Sequence, residues 1–431
     1  MIILDTLLKQ RAAAGKPIRV GLIGAGFMGR GLANQIINSV PGMVLVAIAN
    51  RSPARAAAIY REAGVADLAE VATVGALEDA IAAGRAAVTA DAGLLCEAPS
   101  IDCLVDVTGA LEFGAAITLK AFACGKNMVS MNAELDATIG PLLKHKAAAA
   151  GVIFTAADGD QPGVQMNLFR FVKGLGLTPL VCGNIKGLQD PYRNPTTQAG
   201  FAAKWGQNPY MVTSFADGTK ISFEQAIVAN ATGMSIAKRG MTGRDHAGHI
   251  DELTKLYDLD ELKQLGGVVD YTVGSKPGPG VFVFATHDDP KQRHYLNLYK
   301  LGEGPLYSFY TPYHLCHFEV PMSVARLVLL GDAVMQPLDG PPRVDVVATA
   351  KVDLAPGDIV DELGGYKAYG QCETHAATRA GRLLPMGQSE HCKVIRPVRK
   401  DQVLSYDDVE LPAGRLIDRL RAEQDAMFPL A

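Results

Sequence analysis

Over the first 155 residues, short runs of β-branched and other apolar residues alternate with segments whose apolar positions recur at helical spacing. Residues 18–23, 44–49, 103–108 and 127–131 read as buried strands, and 27–38, 53–63 and 112–124 as the helices between them. Strands without a polar face, separated by crossover helices, predict a doubly wound parallel sheet with both faces covered. Near Gly163 the rhythm changes. Longer helical stretches at 164–175 and 222–230 mix with strand-like runs such as 281–285, which predicts an α+β unit. Gln336-Pro337-Leu338-Asp339-Gly340-Pro341-Pro342 is the strongest linker signal. Beyond it, 345–350 and 393–398 open a small β-rich tail. The expected fold is α/β in three parts: a Rossmann-type domain over 1–160, an α+β domain over 161–335, and a β-rich domain over 343–431. The stretch near 312–335 is expected to return and pack on the first part.

The first strand runs into Gly24-Ala25-Gly26-Phe27-Met28-Gly29, a GxGxxG pattern at a strand-to-helix turn. Gly24 permits the turn, Gly26 lets the backbone approach a diphosphate, and Gly29 lets the helix lie close on the strand. The N–H groups of the helix starting at Phe27 and Met28 would face the phosphates. The second strand should carry a carboxylate at its end to hold the ribose 2′-hydroxyl of NAD. Here Asn50-Arg51-Ser52 stands instead, with Arg55 one turn on. Arginine and serine suit a 2′-phosphate, so NADP(H) is preferred over NAD(H). Thr108 and Gly109, after Asp106, and Asn132, after Met131, follow the inner strands and are expected along the nicotinamide side.

Charge and cysteine content narrow the setting. Forty-one basic and 45 acidic residues leave −4, which argues against a nucleic-acid partner. No apolar run approaches the length of a membrane span, and Asp5 precedes the first bases, the reverse of a secretory leader. Seven cysteines without a CxxC pair read as thiols in a reducing compartment. A cytoplasmic enzyme on a small-molecule substrate, assembled as a homo-oligomer (dimer or tetramer), is expected.

In the second part, Lys186 is the first proton-carrier candidate, in a Gly/Asn-rich turn 182–187 after a strand-like run. Lys220 and Glu224, four apart, share one face if Lys220 begins a helix, either as a catalytic pair or as a plain ion pair. Asn230 closes that helix as a ligand or a cap. His314, beside Tyr313, is a further candidate. His314, His317 and Glu319 do not make a three-ligand metal site on a strand, and His246 and His249 lie in a glycine-rich loop. Asp158 and Asp160 could hold Mg²⁺ or Mn²⁺ through hard oxygens, or Gly159 between them could simply form a turn.

Residues 18–156 resemble the nucleotide domain of homoserine dehydrogenases, and Asn184-Ile185-Lys186-Gly187 and 319–325 echo that family. Across nearly the whole chain the better match is the homoserine-dehydrogenase-like branch containing the type II, 1-deoxy-D-xylulose 5-phosphate reductoisomerase-like enzymes. It is carried by Met131-Asn132-Ala133-Glu134, Ala229-Asn230-Ala231-Thr232-Gly233, Gly267-Val268-Val269-Asp270-Tyr271, Pro279-Gly280-Val281-Phe282 and Pro312-Tyr313-His314-Leu315. The tail, with Lys351-Val352-Asp353-Leu354-Ala355-Pro356-Gly357, resembles a SAF-type domain. The resemblance implies an NADP-dependent oxidoreductase on a small polyhydroxylated substrate such as a sugar or polyol phosphate. Its strongest form is an isomeroreductase, rearranging the skeleton through an enediolate before hydride transfer. Another small hydroxy or oxo acid, or a non-catalytic NADP-binding sensor or assembly role, are the alternatives. Two positions depart from the pattern. Ala133 stands where homoserine dehydrogenases carry lysine, and Gln161 stands where the reductoisomerase-like enzymes have an acid before proline.

Overall fold

The computed structural model describes residues 3–429. After α1 (Asp5–Ala13), strands and helices alternate: β1 (Ile18–Ile23), α2 (Phe27–Ser39), β2 (Met43–Ala49), α3 (Pro53–Glu62), β3 (Leu68–Glu70), α4 (Val74–Ala82) and β4 (Ala86–Thr89). They continue with α5 (Ala92–Glu97), β5 (Cys103–Asp106), α6 (Leu111–Ala123), β6 (Asn127–Ser130), α7 (Ala133–Ala149) and β7 (Phe154–Ala156). These seven strands form one parallel sheet in the order β3-β4-β2-β1-β5-β6-β7. β2 and β5 flank β1 on opposite sides, so the chain winds outward in both directions and leaves a crevice at the carboxyl ends of β1 and β5. The hydrophobic pattern does not announce β3 and β4. β3 is three partly exposed residues, and β4 is only four residues long, two of them alanine.

The next part comprises α8 (Gln161–Gly174), β8 (Thr178–Lys186), α9 (Pro195–Trp205), α10 (Pro209–Asp217), α11 (Thr219–Thr232), β9 (Arg244–Asp245) and α12 (Leu259–Leu265). β10 (Val268–Val273), β11 (Gly280–Thr286), α13 (Pro290–Leu298), β12 (Tyr307–Thr311) and α14 (Val320–Leu330) complete it. Its five strands lie in the order β12-β11-β8-β10-β9. Residues of α8 and α11 such as Met166 and Ala226 share a core with Val269 and Val283 of the sheet, while Ile250, Leu253 and Leu262 pack with Phe282 and Phe284. α14 returns to the first sheet: Val320, Val324 and Ala325 share a core with Val20, Leu22 and Val105.

The tail is an antiparallel pair, β13 (Val344–Ala350) and β14 (Ala368–Thr374), then α15 (His375–Ala380), a short pair β15 (Lys393–Val394) and β16 (Val409–Glu410), and α16 (Leu416–Met427). The strand expected over 393–398 is only two residues long, Lys393–Val394. The tail is tied into the rest of the molecule at both ends. Val344 and Val346 of β13 join the core around α11, and α16 lays Ile417 and Leu420 into the core beneath α6 and α7. Asn230 makes the first junction: its carbonyl oxygen accepts from the N–H groups of Arg343 and Val344, and its amide donates to the Val344 carbonyl. All seven cysteines are free thiols. Among the described residues no helix is long and apolar enough to cross a membrane.

Candidate active site

The glycine turn has the geometry its sequence predicts. Gly24 adopts φ +114°, open to glycine alone at low cost, and its N–H donates to Ala49. A Cβ on Gly29 would fall 2.5 Å from the Gly24 carbonyl oxygen, so only glycine lets α2 lie this close to the turn. A Cβ on Gly26 would meet nothing within 4 Å. No side chain caps α2, so its first N–H groups, at Phe27 and Met28, stand beside this open space. The residues fit a dinucleotide diphosphate.

At the end of β2, the Asn50 amide donates to Ser52 O at 3.0 Å and shapes the turn. Arg51 is exposed and makes no ion pair among the described residues, so its guanidinium is available at this edge. Thr108 bonds Asp106 through both its hydroxyl (2.7 Å) and its N–H (2.9 Å). Burial pushes the Asp106 carboxyl up, which leaves it a framework group. Gly109 follows at φ +65°, and the Met211 methyl of α10 lies 3.7 Å from where its Cβ would stand. Helix α10 therefore overhangs the crevice. Asn132 serves the framework at the end of β6. It is buried, its oxygen caps α7 at Leu135 N, and its amide donates to Ala110 O.

Lys220 is the second residue of α11, so Lys220 and Glu224 do share a helix face. The Lys220 ammonium lies 3.6 Å from Glu134 and 3.5 Å from Asp160. These carboxylates come from the starts of α7 and α8, which follow β6 and β7, so the cluster sits at the carboxyl edge of the parallel sheet. Glu224 is buried and accepts from Asn184 at 3.0 Å. Asn184 also donates to Gln161, while its oxygen accepts from Gln165 and Gln225. Gln161 reaches His314 Nε2 at 3.2 Å, and His314 Nδ1 lies 3.2 Å from the Gly159 carbonyl. That pairing places the imidazole proton on Nδ1 and leaves Nε2 to accept.

Lys186 is not in a loop turn. Residues 182–186 are the end of β8, paired with β10 on one side and β11 on the other, because Cys182 and Ile185 supply buried apolar positions that hold the strand in the sheet. Its ammonium donates to Gln189 Oε1 and Phe215 O, both at 2.8 Å. Asn184 and Lys186, two apart on a strand, point to the same side. Alternation around Ile185 is the signal that would have found Asn184. Glu134, Gln161, Gln165 and Gln225 have no comparable signal, since they converge only through the tertiary fold.

The electrostatics separate the two lysines. Burial opposes the charge on Lys220, but Asp160, Glu134 and Glu224 together outweigh it and hold the ammonium well above its ordinary range. Burial lowers Lys186, with Glu224 and Asp217 opposing. Burial raises Glu224, reinforced by Asp160 and opposed by the lysines. Burial thus pushes the Lys186 ammonium down and the Glu224 carboxyl up, toward one another.

Asp158 and Asp160 do not form a metal site. Asp160 faces Lys220, whereas Asp158 is buried, accepts from Asn167, and is pushed by burial to about 7. Among the described residues no three His, Cys, Asp or Glu side chains are placed to hold a metal ion. Glu319 folds back to accept from Leu315 N, and the His317 ring lies against Gly31 of α2. His246 pairs with Glu252 and Ser275.

Residues 18–129 match the family described as "Oxidoreductase family, NAD-binding Rossmann fold", and residues 159–320 match "Oxidoreductase DRL, catalytic domain". By these two domains the chain is an oxidoreductase. No curated protein is similar to it in sequence. A structure described as a probable dehydrogenase from Thermotoga maritima shares 13% identity, covering 73% of this chain and 90% of that one, with a TM-score of 0.42. The scyllo-inositol dehydrogenase from Lactobacillus casei, solved with NAD(H) and scyllo-inositol, shares 14% identity over 63% of this oxidoreductase and 74% of that chain, with a TM-score of 0.35. An NAD binding oxidoreductase from Klebsiella pneumoniae shares 18% over 41% of this chain and 45% of its own, with a TM-score of 0.31.

Proposed function

We propose that this oxidoreductase uses NADP(H) to interconvert a hydroxyl and a carbonyl on a small polyhydroxylated substrate, a sugar or polyol in free or phosphorylated form. The observation that carries the reading is the convergence of Lys186, Lys220 and Glu224 with Asn184, Gln161 and His314 beside the carboxyl edge of the nucleotide-binding sheet. When bound, the nicotinamide supplies or takes the hydride. Gly26 and the start of α2 would hold the diphosphate, and Arg51 with Ser52 the 2′-phosphate. Lys220, fixed as an ammonium, stabilises the oxyanion that develops as the carbonyl is reduced. Lys186 and Glu224 hold and move the proton at that oxygen. The partly exposed Gln161 amide and His314 imidazole suit hydroxyl groups, which both donate and accept, while buried Asn184, bonded throughout within the protein, orients them. The same base and oxyanion partner would serve an enediolate, so the isomeroreductase form is chemically available to the site.

The test is absorbance loss at the reduced nicotinamide band on mixing protein, NADPH and a panel of four- to six-carbon ketoses, aldoses and their phosphates. Turnover on a member of the panel supports the reading. Tight NADPH binding with no turnover on any member contradicts it and favours a cofactor-binding sensor.

A further inference from the structure

The tail contributes no side chain to the cluster around Lys220, yet a buried charge pair joins it to the residues just before that lysine. Lys351, one residue past β13, is 3% exposed, and Asp217, the last residue of α10, is fully buried. The three ammonium protons of Lys351 are all placed, at 2.7 Å each, on Asp217 Oδ2, Arg193 O and Gly365 O. The other oxygen of Asp217 accepts the N–H of Thr219 at 2.8 Å. Between them stands Gly218 at φ +97°, the break that separates α10 from α11. Lys220 follows directly.

A second strand of the tail grips the same turn. Gly370 of β14 donates its N–H to the Thr219 hydroxyl at 2.9 Å and accepts from the Ser222 hydroxyl at 3.0 Å. Cys372 donates its thiol to Ser222 O. Lys186 depends on this junction too. Its two acceptors are Phe215 O, two residues before Asp217, and Gln189 Oε1, and the amide of Gln189 rests against Gly218 where a Cβ would stand.

We infer that Lys351 is a positioning residue: through Asp217 it fixes the start of α11, and with it the placement of Lys220 between Glu134 and Asp160. The energetics favour this over a plain stabilising bond. An ammonium and a carboxylate buried together gain little net stability over an apolar pair of the same shape, because both are desolvated. What the pair does supply is direction. Hydrogen bonds of fixed geometry pin the one-residue break at Gly218 where an apolar contact would let it slide. This inference rests on the reading of Lys220 as the oxyanion partner, but the placement it describes can be measured without turnover.

The measurement is competitive acetylation of the full-length protein with acetic anhydride, read lysine by lysine by mass spectrometry, with exposed Lys173 as the internal reference. In the wild type Lys220, ion-paired on two sides, should react slowly. In Lys351→Met it should react about tenfold faster or more relative to Lys173, because the ammonium is released from its carboxylates and loses its proton more readily. If Lys351→Met fails to fold by circular dichroism, Asp217→Asn/Lys351→Met removes the unpaired buried charge and should show the same gain. A folded variant in which Lys220 reacts within about twofold of the wild type overturns the inference, whatever the enzyme's activity. Loss of turnover in Lys220→Met tests the catalytic reading separately.

Discussion

Asn184 donates to the Glu224 carboxylate at 3.0 Å, so a buried acid on α11 is oriented by an amide on the central strand of the second sheet. The same amide also binds Gln161, which reaches His314, and one chain of contacts therefore links three elements around Glu224. If Glu224 moves a proton in turnover, Glu224→Gln should lower kcat by about 10² or more. NADPH affinity should hardly change. A Glu224→Gln enzyme turning over at wild-type rate would remove Glu224 from the chemistry.

Cofactor choice rests on Arg51. Arg51→Ala should weaken NADPH by about ten- to a hundredfold, the worth of a charge-assisted contact to the 2′-phosphate, and leave NADH nearly unchanged. Fluorescence titration of both cofactors decides it. Equal losses for both would place the 2′-phosphate elsewhere.

The two later glycines of the turn should fail in different ways. Gly26→Val has room in the free protein and should fold, yet lose cofactor binding, because the added atoms occupy the open space over the turn. Gly29→Ala drives a methyl into the Gly24 carbonyl and should lower thermal stability instead, by about 1–3 kcal/mol. Normal NADPH binding by folded Gly26→Val would show that this turn does not hold the diphosphate.

Much of this was legible in the chain. β1 and α2, with the glycines between them, follow from an apolar run, a punctuated turn and a helical period within about 30 residues, all local signals. The shared helix face of Lys220 and Glu224 follows the same logic. What stayed hidden depends on tertiary convergence. Asp160 and Gly159 read equally as a turn or a metal site until α11 brings Lys220 against the carboxylate. Lys186 reads as a loop residue because Gly183, Asn184 and Gly187 are turn formers, yet hydrogen bonds from strands on both sides override that preference. Gln161, which departs from the reductoisomerase-like pattern, is built into the network as the link to His314.

Asp158 gives a pH test. Its carboxyl is raised by burial to about 7, so the native state keeps a proton that the unfolded chain releases near the ordinary carboxylate range. Stability should therefore fall as pH rises from that range to about 7, then level off. Asp158→Asn lacks this loss and should gain in melting temperature over the wild type at pH 8 relative to pH 5. Its kcat should stay close to wild type. A large fall in kcat that Mn²⁺ reverses would restore the metal reading.

The central claim is that Lys186 and Lys220 do different work, one trading a proton and the other holding a fixed positive charge. The most direct test is the pH dependence of kcat/KM for Lys186→Met and Lys220→Met, on whichever panel member the wild type turns over. Lys220→Met should lose about 10² or more at every pH; its own charge does not titrate in this range, but the limb due to Glu224 should move to higher pH, because Lys220 no longer opposes the burial that raises that acid. Lys186→Met should lose a comparable factor and also the limb that its own titration produces near neutral pH. Near-normal turnover in both variants, or a profile limb that disappears with Lys220 and survives without Lys186, would contradict the account.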